Sequence, residues 1–290
     1  MDGRTEIREF LATRRARVTP VDAGLPAYGG NRRVTGLRRE EVAMLAGVSV
    51  DYYTQLERGR LAGVSDSVLA ALAHALKLDE AETSHLFDLA RTANETPATA
   101  RRRPTATGVR APVQRMLDAM VDAPGWVRNE RFDLLASNAL GRSLYAPIVA
   151  MGGRINTARF AFLEPAAKDF FRDWARTADD CVANLRGAAG RNPSDRALTD
   201  LVGELSTRSA EFRVRWAAHD VRFHRTGVKR LHHPVVGDLD LTYEALELPS
   251  DPGLVMLVYG AEPGSASADA LRLLGSLDAT ARVPAASVAD

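Results

Sequence analysis

Residues 37–60 read LRREEVAMLAGVSVDYYTQLERGR, and the pattern within them decides the fold of the first third of the chain. Val42, Leu45 and Ala46 recur at helical spacing on one face, which predicts a short helix starting near Arg38. Ala46-Gly47-Val48 reads as a tight turn, because Gly47 can take the left-handed conformation that closes a helix. Ser49 then offers a hydroxyl to an orphan backbone N–H of the next helix. In that second helix Tyr53 and Leu56 point inward, leaving Val50, Asp51, Thr54 and Gln55 outward. Two helices around a short turn with glycine make a helix-turn-helix, whose second helix suits the DNA major groove. The same spacing also fits an ordinary helical hairpin with no partner.

Charge placement favours the nucleic-acid reading. Between Arg8 and Arg39 stand eight arginines (8, 14, 15, 17, 32, 33, 38 and 39) against Glu9 and Asp22. From Leu61 to Ala93 the sign reverses, with Lys77 and Arg91 against Asp66, Asp79, Glu80, Glu82 and Asp88. This reads as a basic footprint beside the second helix, and arginine favours bidentate phosphate contacts.

The stretch resembles the Cro/repressor (XRE) type of helix-turn-helix. The family's Leu-Ala-x-x-x-x-Val-Ser core and closing Glu-x-Gly fall on Val42-Ala43, Val48-Ser49 and Glu57-Arg58-Gly59. The resemblance implies that Ser49, Val50, Asp51, Tyr52, Thr54 and Gln55 lie at the groove. Gln55 or Thr54 would bond base edges, Val50 would meet a thymine methyl and Asp51 would accept from cytosine. Arg38, Arg39, Arg58 and Arg60 are expected on phosphates, with Glu57 bonding back within the motif. Where the family usually carries a glutamine this chain has Arg39, which implies a stronger phosphate contact.

Around this motif the periodicity predicts three more helices. Ile7, Phe10 and Leu11 make the stripe of a first helix over residues 5–16. Val68, Leu69, Leu72 and Leu76 mark a fourth after Ser65, and Asp79 with Glu82 resembles a capping box opening a fifth with Leu86, Phe87 and Ala90 inside. Residues 18–36 read as a loop in which Arg32 and Arg33 stand ready for a phosphate or the minor groove, or serve only solubility. The expected domain therefore spans 1–93, all helical, followed by a Pro/Thr/Ala-rich linker at 94–108 with an arginine triplet at 101–103.

The chain has 290 residues with 46% hydrophobic and 26% charged, which suits a soluble protein of two ordinary domains. Cys181 is the single cysteine, so no intrachain disulfide and no cysteine-based zinc site is possible. No run reaches the roughly 18 apolar residues of a membrane span, and the charged N-terminus lacks a signal core. A cytoplasmic location follows as the expectation, with no membrane partner.

The second half changes character. Gly125 to Ser137 reads as two short strands around an Asn-Glu-Arg turn, with Asn138 opening a helix. A long amphipathic helix is expected between Phe160 and Arg186, and further helices around Leu198–Leu205 and Phe212–Trp216. From His219 the period becomes two, through Val221 and Phe223 and again through Leu239, Leu241, Tyr243 and Ala245. Gly227 and Gly237 suggest hairpin turns, and a phase slip at Leu246 suggests a bulge. LVMLVY at 254–259 is apolar on both faces, as a covered central strand would be. The expectation is an α+β domain at 109–279, an antiparallel sheet packed by helices on one side, with a frayed tail at 280–290. FRVRWAAHDVR (212–222), HPVVGDLDLTYEAL (233–246) and VYGAEPGSASADALRLL (258–274) resemble the PAS-like ligand-binding domain of MmyB-like transcription regulators.

An enzyme using His219 and Asp220 is the weaker reading, because no nucleophile elbow, phosphate loop or paired-carboxylate pattern accompanies them. His232 and His233 are adjacent in a strand and point to opposite faces, so they cannot chelate one metal. Neither a cofactor nor a metal is expected. For a binding cavity, Phe170, Phe171, Trp174, Phe212, Trp216, Tyr243 and Tyr259 would supply walls, and Asn138, His219 or Arg222 an anchor. The resemblance implies a small apolar ligand, fatty acids among them. The whole reads as a ligand-responsive, sequence-specific DNA-binding regulator. It would act as a homodimer on a palindromic operator of double-stranded DNA. The alternatives are a constitutive DNA binder whose second domain only dimerises, and a DNA-tethered enzyme.

Overall fold

A computed structural model of the chain describes residues 3–26, 35–94, 108–218 and 226–282. The expectations for Arg32 and Arg33, most of the 94–108 linker with its arginine triplet, the strand at 221–224, His219, Asp220 and Arg222, and the tail after 282 lie outside the described residues.

Five helices open the chain: α1 (Gly3–Arg17), α2 (Arg39–Leu45), α3 (Val50–Glu57), α4 (Asp66–Ala75) and α5 (Glu80–Asn94). Their shared core holds Phe10 and Leu11 of α1, Val42 of α2, Tyr53 and Leu56 of α3, Leu72 of α4 and Leu86 of α5, all buried. The start of α5 is the expected reciprocal cap. Glu82 N donates to Asp79 Oδ1 at 2.8 Å and Asp79 N donates to Glu82 Oε2 at 3.2 Å.

The remaining elements run α6 (Ala111–Ala119), β1 (Gly125–Asn129), β2 (Leu134–Ser137), α7 (Ala139–Leu144), α8 (Ala146–Val149), α9 (Thr157–Leu163), α10 (Ala167–Phe170), α11 (Trp174–Arg191), α12 (Arg196–Arg208), α13 (Ala210–Ala217), β3 (Thr226–His233), β4 (Gly237–Glu247), β5 (Leu254–Gly260) and α14 (Ala266–Arg282). The strands form one antiparallel sheet in the order β2-β1-β5-β4-β3. β5 is its central strand, which accounts for the two-sided apolar run at 254–259. Leu257 and Tyr259 face a core shared with α7, α9, α10 and α14, while Leu254 and Met256 face Val113 and Leu117 of α6. One face is thus the main helical layer, but α6 also covers the reverse face at β1 and β5, where helices on one side only were expected.

Three sequence expectations need correction. The single long helix over 160–186 is three helices, because Pro165 forces Glu164 into an extended conformation (φ −100°, ψ 124°) and ends α9. Phe171 then lies between α10 and α11, bridged through its backbone to Leu231 of β3. Gly227 sits inside β3 opposite Tyr243 rather than in a turn. No bulge breaks β4 at Leu246; its register against β5 runs unbroken from Thr242↔Gly260 to Glu247↔Val255, and Leu246 is simply an exposed leucine. The register shift lies instead between Val127 and Arg128 of β1.

Residue contacts divide the chain into two compact units, Met1–Arg103 with Val182–Phe223, and Pro104–Cys181 with His224–Asp290. The first unit therefore contains α1–α5 together with α12, α13 and the residues of α11 from Val182 onward. Within it Arg186 is fully buried, its Nη1 2.5 Å from Glu6 Oε1 of α1 and its guanidinium 4.2 Å above the Trp216 ring. Gly190 carries no side chain where a Cβ would come within 2.5 Å of the buried His85 ring. Thr92 Oγ1 donates to Gly190 O at 3.2 Å.

Candidate functional site

In the first unit the chemistry converges on α2 and α3. Gly47 closes α2 at φ +67°, with Val48 N donating back to Ala43 O at 2.9 Å. Ser49 caps α3, its hydroxyl accepting from Tyr52 N at 3.1 Å. Tyr53 and Leu56 are buried at 0% and 1% exposure, which leaves Val50, Asp51 and Tyr52 exposed and Thr54 and Gln55 partly so. Met44 of α2, which the sequence reading passed over, is also exposed.

The arginines divide into two groups. Glu57, at the end of α3 and almost fully buried, accepts from Arg15 Nε of α1 at 2.7 Å on one oxygen and from Arg39 Nε of α2 on the other. Hydrogen bonding to Glu57 raises the Arg39 pKa, so that arginine stays firmly charged. Arg14 and Arg17 of α1 reach Glu82 at 2.7 and 3.4 Å. Much of the apparent basic footprint is therefore internal pairing: early arginines meet acids that lie later in sequence. Arg39, expected on a phosphate, is tied to the carboxylate that holds α1, α2 and α3 together, although its side chain remains 55% exposed. Arg38 and Arg58 are exposed, and the side chain of Arg58 has no partner among the described residues. Arg60 Nη1 donates to Gln55 Oε1 at 2.6 Å, which leaves the Gln55 amide protons for acceptors such as guanine O6 or adenine N7.

The second unit holds an aromatic cluster on the helical face of its sheet. Phe171, Tyr243 and Tyr259 are all buried within it, and Trp174 packs at its margin with Nε1 donating to Ala161 O at 2.8 Å. Sequence reasoning missed Trp126, Tyr145 and Phe160, which complete the cluster. Tyr145 Oη lies 3.0 Å from Tyr259 Oη, and burial raises the pKa of both phenols. Tyr243 donates to Thr226 O at 3.1 Å, and its phenol is pushed up to about 12, mainly by burial. Trp126 Nε1 is buried without a hydrogen-bond partner among the described residues.

Phe170 joins this cluster as well, whereas Phe212, Trp216 and Asn138 do not. Phe212 and Trp216 belong to the first unit, stacked on each other at 5.4 Å between ring centroids. Asn138 has no group to spare. Its Oδ1 accepts from Gly125 N and Gly141 N at 3.0 and 2.7 Å, and its Nδ2 donates to Met120 O and Ala123 O at 2.8 and 2.7 Å. It caps α7 and pins β1, a structural task in place of the expected anchor. His232 and His233 take opposite faces as expected: His232 is exposed beside Asp238 at 2.6 Å, and His233 is buried with Nε2 3.0 Å from Ser143 O.

The fold and these two regions define a helix-turn-helix DNA-binding protein joined to an α+β domain. Comparison with protein families agrees on both halves. Residues 6–86 match a helix-turn-helix domain, and residues 109–274 match the MmyB-like transcription regulator ligand binding domain. The second match spans more than half of the chain, and the protein belongs to the MmyB-like transcription regulators. No curated protein matched the chain.

Proposed function

We propose that this regulator binds a palindromic operator as a homodimer, and that its second domain senses a small apolar ligand of fatty-acid type. The observation that carries the DNA part is α3: Tyr53 and Leu56 are sealed in the core while Val50, Asp51, Tyr52, Thr54 and Gln55 face solvent. Those side chains supply both hydrogen-bonding and methyl-contact chemistry for base edges. One such helix reads only a few base pairs, so useful specificity calls for two copies, paired through the 109–279 domain. The protein would act in the cytoplasm, on chromosomal DNA.

Support for ligand control comes from the make-up of the first unit. Residues 182–218 lie inside the stretch matched by the ligand-binding family, yet they pack in the same compact unit as the reading helix. α11 belongs in part to each unit, so a ligand that favours one arrangement of the second domain would bias the unit that carries α3. The aromatic cluster around Phe171, Tyr243 and Tyr259 supports an apolar ligand.

The test is a gel-shift on the intergenic DNA upstream of the gene, with and without an extract of cellular lipids. A specific shift altered by the extract is the expected result. A shift indifferent to the extract would favour a regulator whose second domain only dimerises. Gln55→Ala should alter preference at one operator position by about 1–3 kcal/mol, while Arg58→Ala should weaken binding to all sequences and make the salt dependence shallower. Wild-type behaviour in both variants would overturn the assignment of α3.

A further inference from the structure

Strand β3 places a cation on the inner side of the sheet. Leu231 and His233 are almost fully buried, while Val228, Arg230 and His232 alternate outward. Lys229 shares the inward parity and is half-buried. Its Nζ lies 2.9 Å from Thr177 Oγ1 of α11 and 5.0 Å above the Phe171 ring. Three buried arginines elsewhere meet carboxylates: Arg14 meets Glu82, Arg131 meets Asp133 and Arg186 meets Glu6. Lys229 has no carboxylate within ion-pair distance among the described residues; its direct contacts are one hydroxyl and one aromatic face.

The wider electrostatic setting is mixed, and its strongest charge influence on the ammonium is the carboxylate of Asp180. Asp180 favours the Lys229 charge from beyond ion-pair distance, and Arg176 and Arg128 oppose it. Burial, the largest influence, brings the amine down to about 8, so it is still mostly protonated at pH 7. A desolvated ammonium with unused N–H donors is costly unless an anion completes it. Thr177 adds a second donor, because a hydroxyl that accepts from Lys229 keeps its own proton to give.

We infer that Lys229 and Thr177 form the headgroup subsite of the second domain, taking the carboxylate of an apolar acid whose body lies against Phe171 and Tyr243. The ammonium bonds one carboxylate oxygen and the Thr177 hydroxyl the other. The inference rests on the ligand-sensing reading above and adds to it a polarity for the ligand and the residues that select it. Neutral amphiphiles of equal length are then discriminated against, because they leave the ammonium unpaired.

The experiment measures binding of tetradecanoate and of tetradecan-1-ol to the full-length protein by displacement of a fluorescent fatty-acid probe, below the micellar range at pH 7. Wild type should prefer the acid by about tenfold to 150-fold, the range of a charged hydrogen bond. Lys229→Met should lose that preference while binding the alcohol as before, and Lys229→Arg should keep most of it. In wild type the acid should also protect Lys229 from acetylation, read by peptide mass spectrometry. Equal binding of acid and alcohol by wild type overturns the headgroup assignment and leaves an apolar sensor standing. An acid preference that survives in Lys229→Met also overturns it. Binding of neither amphiphile sinks the assignment and the fatty-acid reading beneath it together. Should Lys229→Met fail to fold, the wild-type ratio, the protection of Lys229 and the ratio in Thr177→Val decide the matter.

Discussion

Replacing Arg186 by methionine should be among the most destabilising single changes in the first unit. The guanidinium is fully buried; it pairs with Glu6, donates to Trp216 O and stacks on the Trp216 ring. Glu6 is itself only 5% exposed, so the substitution takes the guanidinium from a buried carboxylate. Removing one partner of a buried ion pair costs about 3–5 kcal/mol. At about 2–4 °C per kcal/mol for a unit of this size, that lowers the melting temperature by roughly 6–20 °C. Calorimetric melting of Arg186→Met reads the shift directly. The double variant Glu6→Leu with Arg186→Met tests its cause, because replacing both charges with apolar groups removes the buried carboxylate whose ion pair was broken and should recover much of the loss. A shift below about 1 kcal/mol in the single variant would refute the reasoning, since surface substitutions commonly change stability by that little. A double variant no more stable than the single one would refute it equally.

Other changes probe separate parts of the same unit. Burial lowers the pKa of His85 even though Glu6 lies 3.8 Å from its Nε2. Below pH of about 6.5 the unfolded chain takes up a proton that the folded ring resists. Stability should thus fall as pH drops from 7.5 to 5.5, by at most about 1.4 kcal/mol per pH unit, and His85→Leu should flatten that slope in urea titrations. Gly59→Ala should cost about 1–3 kcal/mol, since Gly59 has φ +91° and its added Cβ would come within 2.5 Å of Arg4 O; a melting temperature equal to wild type would contradict this. Ser49→Ala removes the cap of α3 and should cost about 1 kcal/mol in the same melting assay, with operator affinity falling alongside.

The features that were legible in the sequence are those whose cause is local. Gly47, Ser49 and the Asp79–Glu82 cap each act on backbone within a few residues, so the residue type alone announces the role. The double-sided apolar run at 254–259 likewise revealed a central strand, because only a covered strand tolerates it. Periodicity shows that a face is buried without showing what buries it. Phe212 and Trp216 were correctly inward-facing in part, yet their neighbours belong to the first unit. The pairing of Glu6 with Arg186 spans 180 positions and leaves no local trace. The basic footprint misled for the same reason, since a count of charges cannot reveal that Arg14 and Arg15 already have partners in Glu82 and Glu57. Lys229 escaped notice because a lysine in a strand usually points to water, and its inward parity emerges only from the register of β3 against β4.

Glu57 separates the framework of the reading head from its vocabulary. The carboxylate fastens three helices through Arg15 and Arg39 on the sheltered side of α3, while the residues that would meet bases stand on the opposite side and take no part in that fastening. Mutation can therefore rewrite positions 50, 51, 52, 54 and 55 without loosening the mount that aims them. If these five positions read the operator as proposed, drift there would change the sequence recognised and leave the mount intact, and an engineer could transplant the same five as a set.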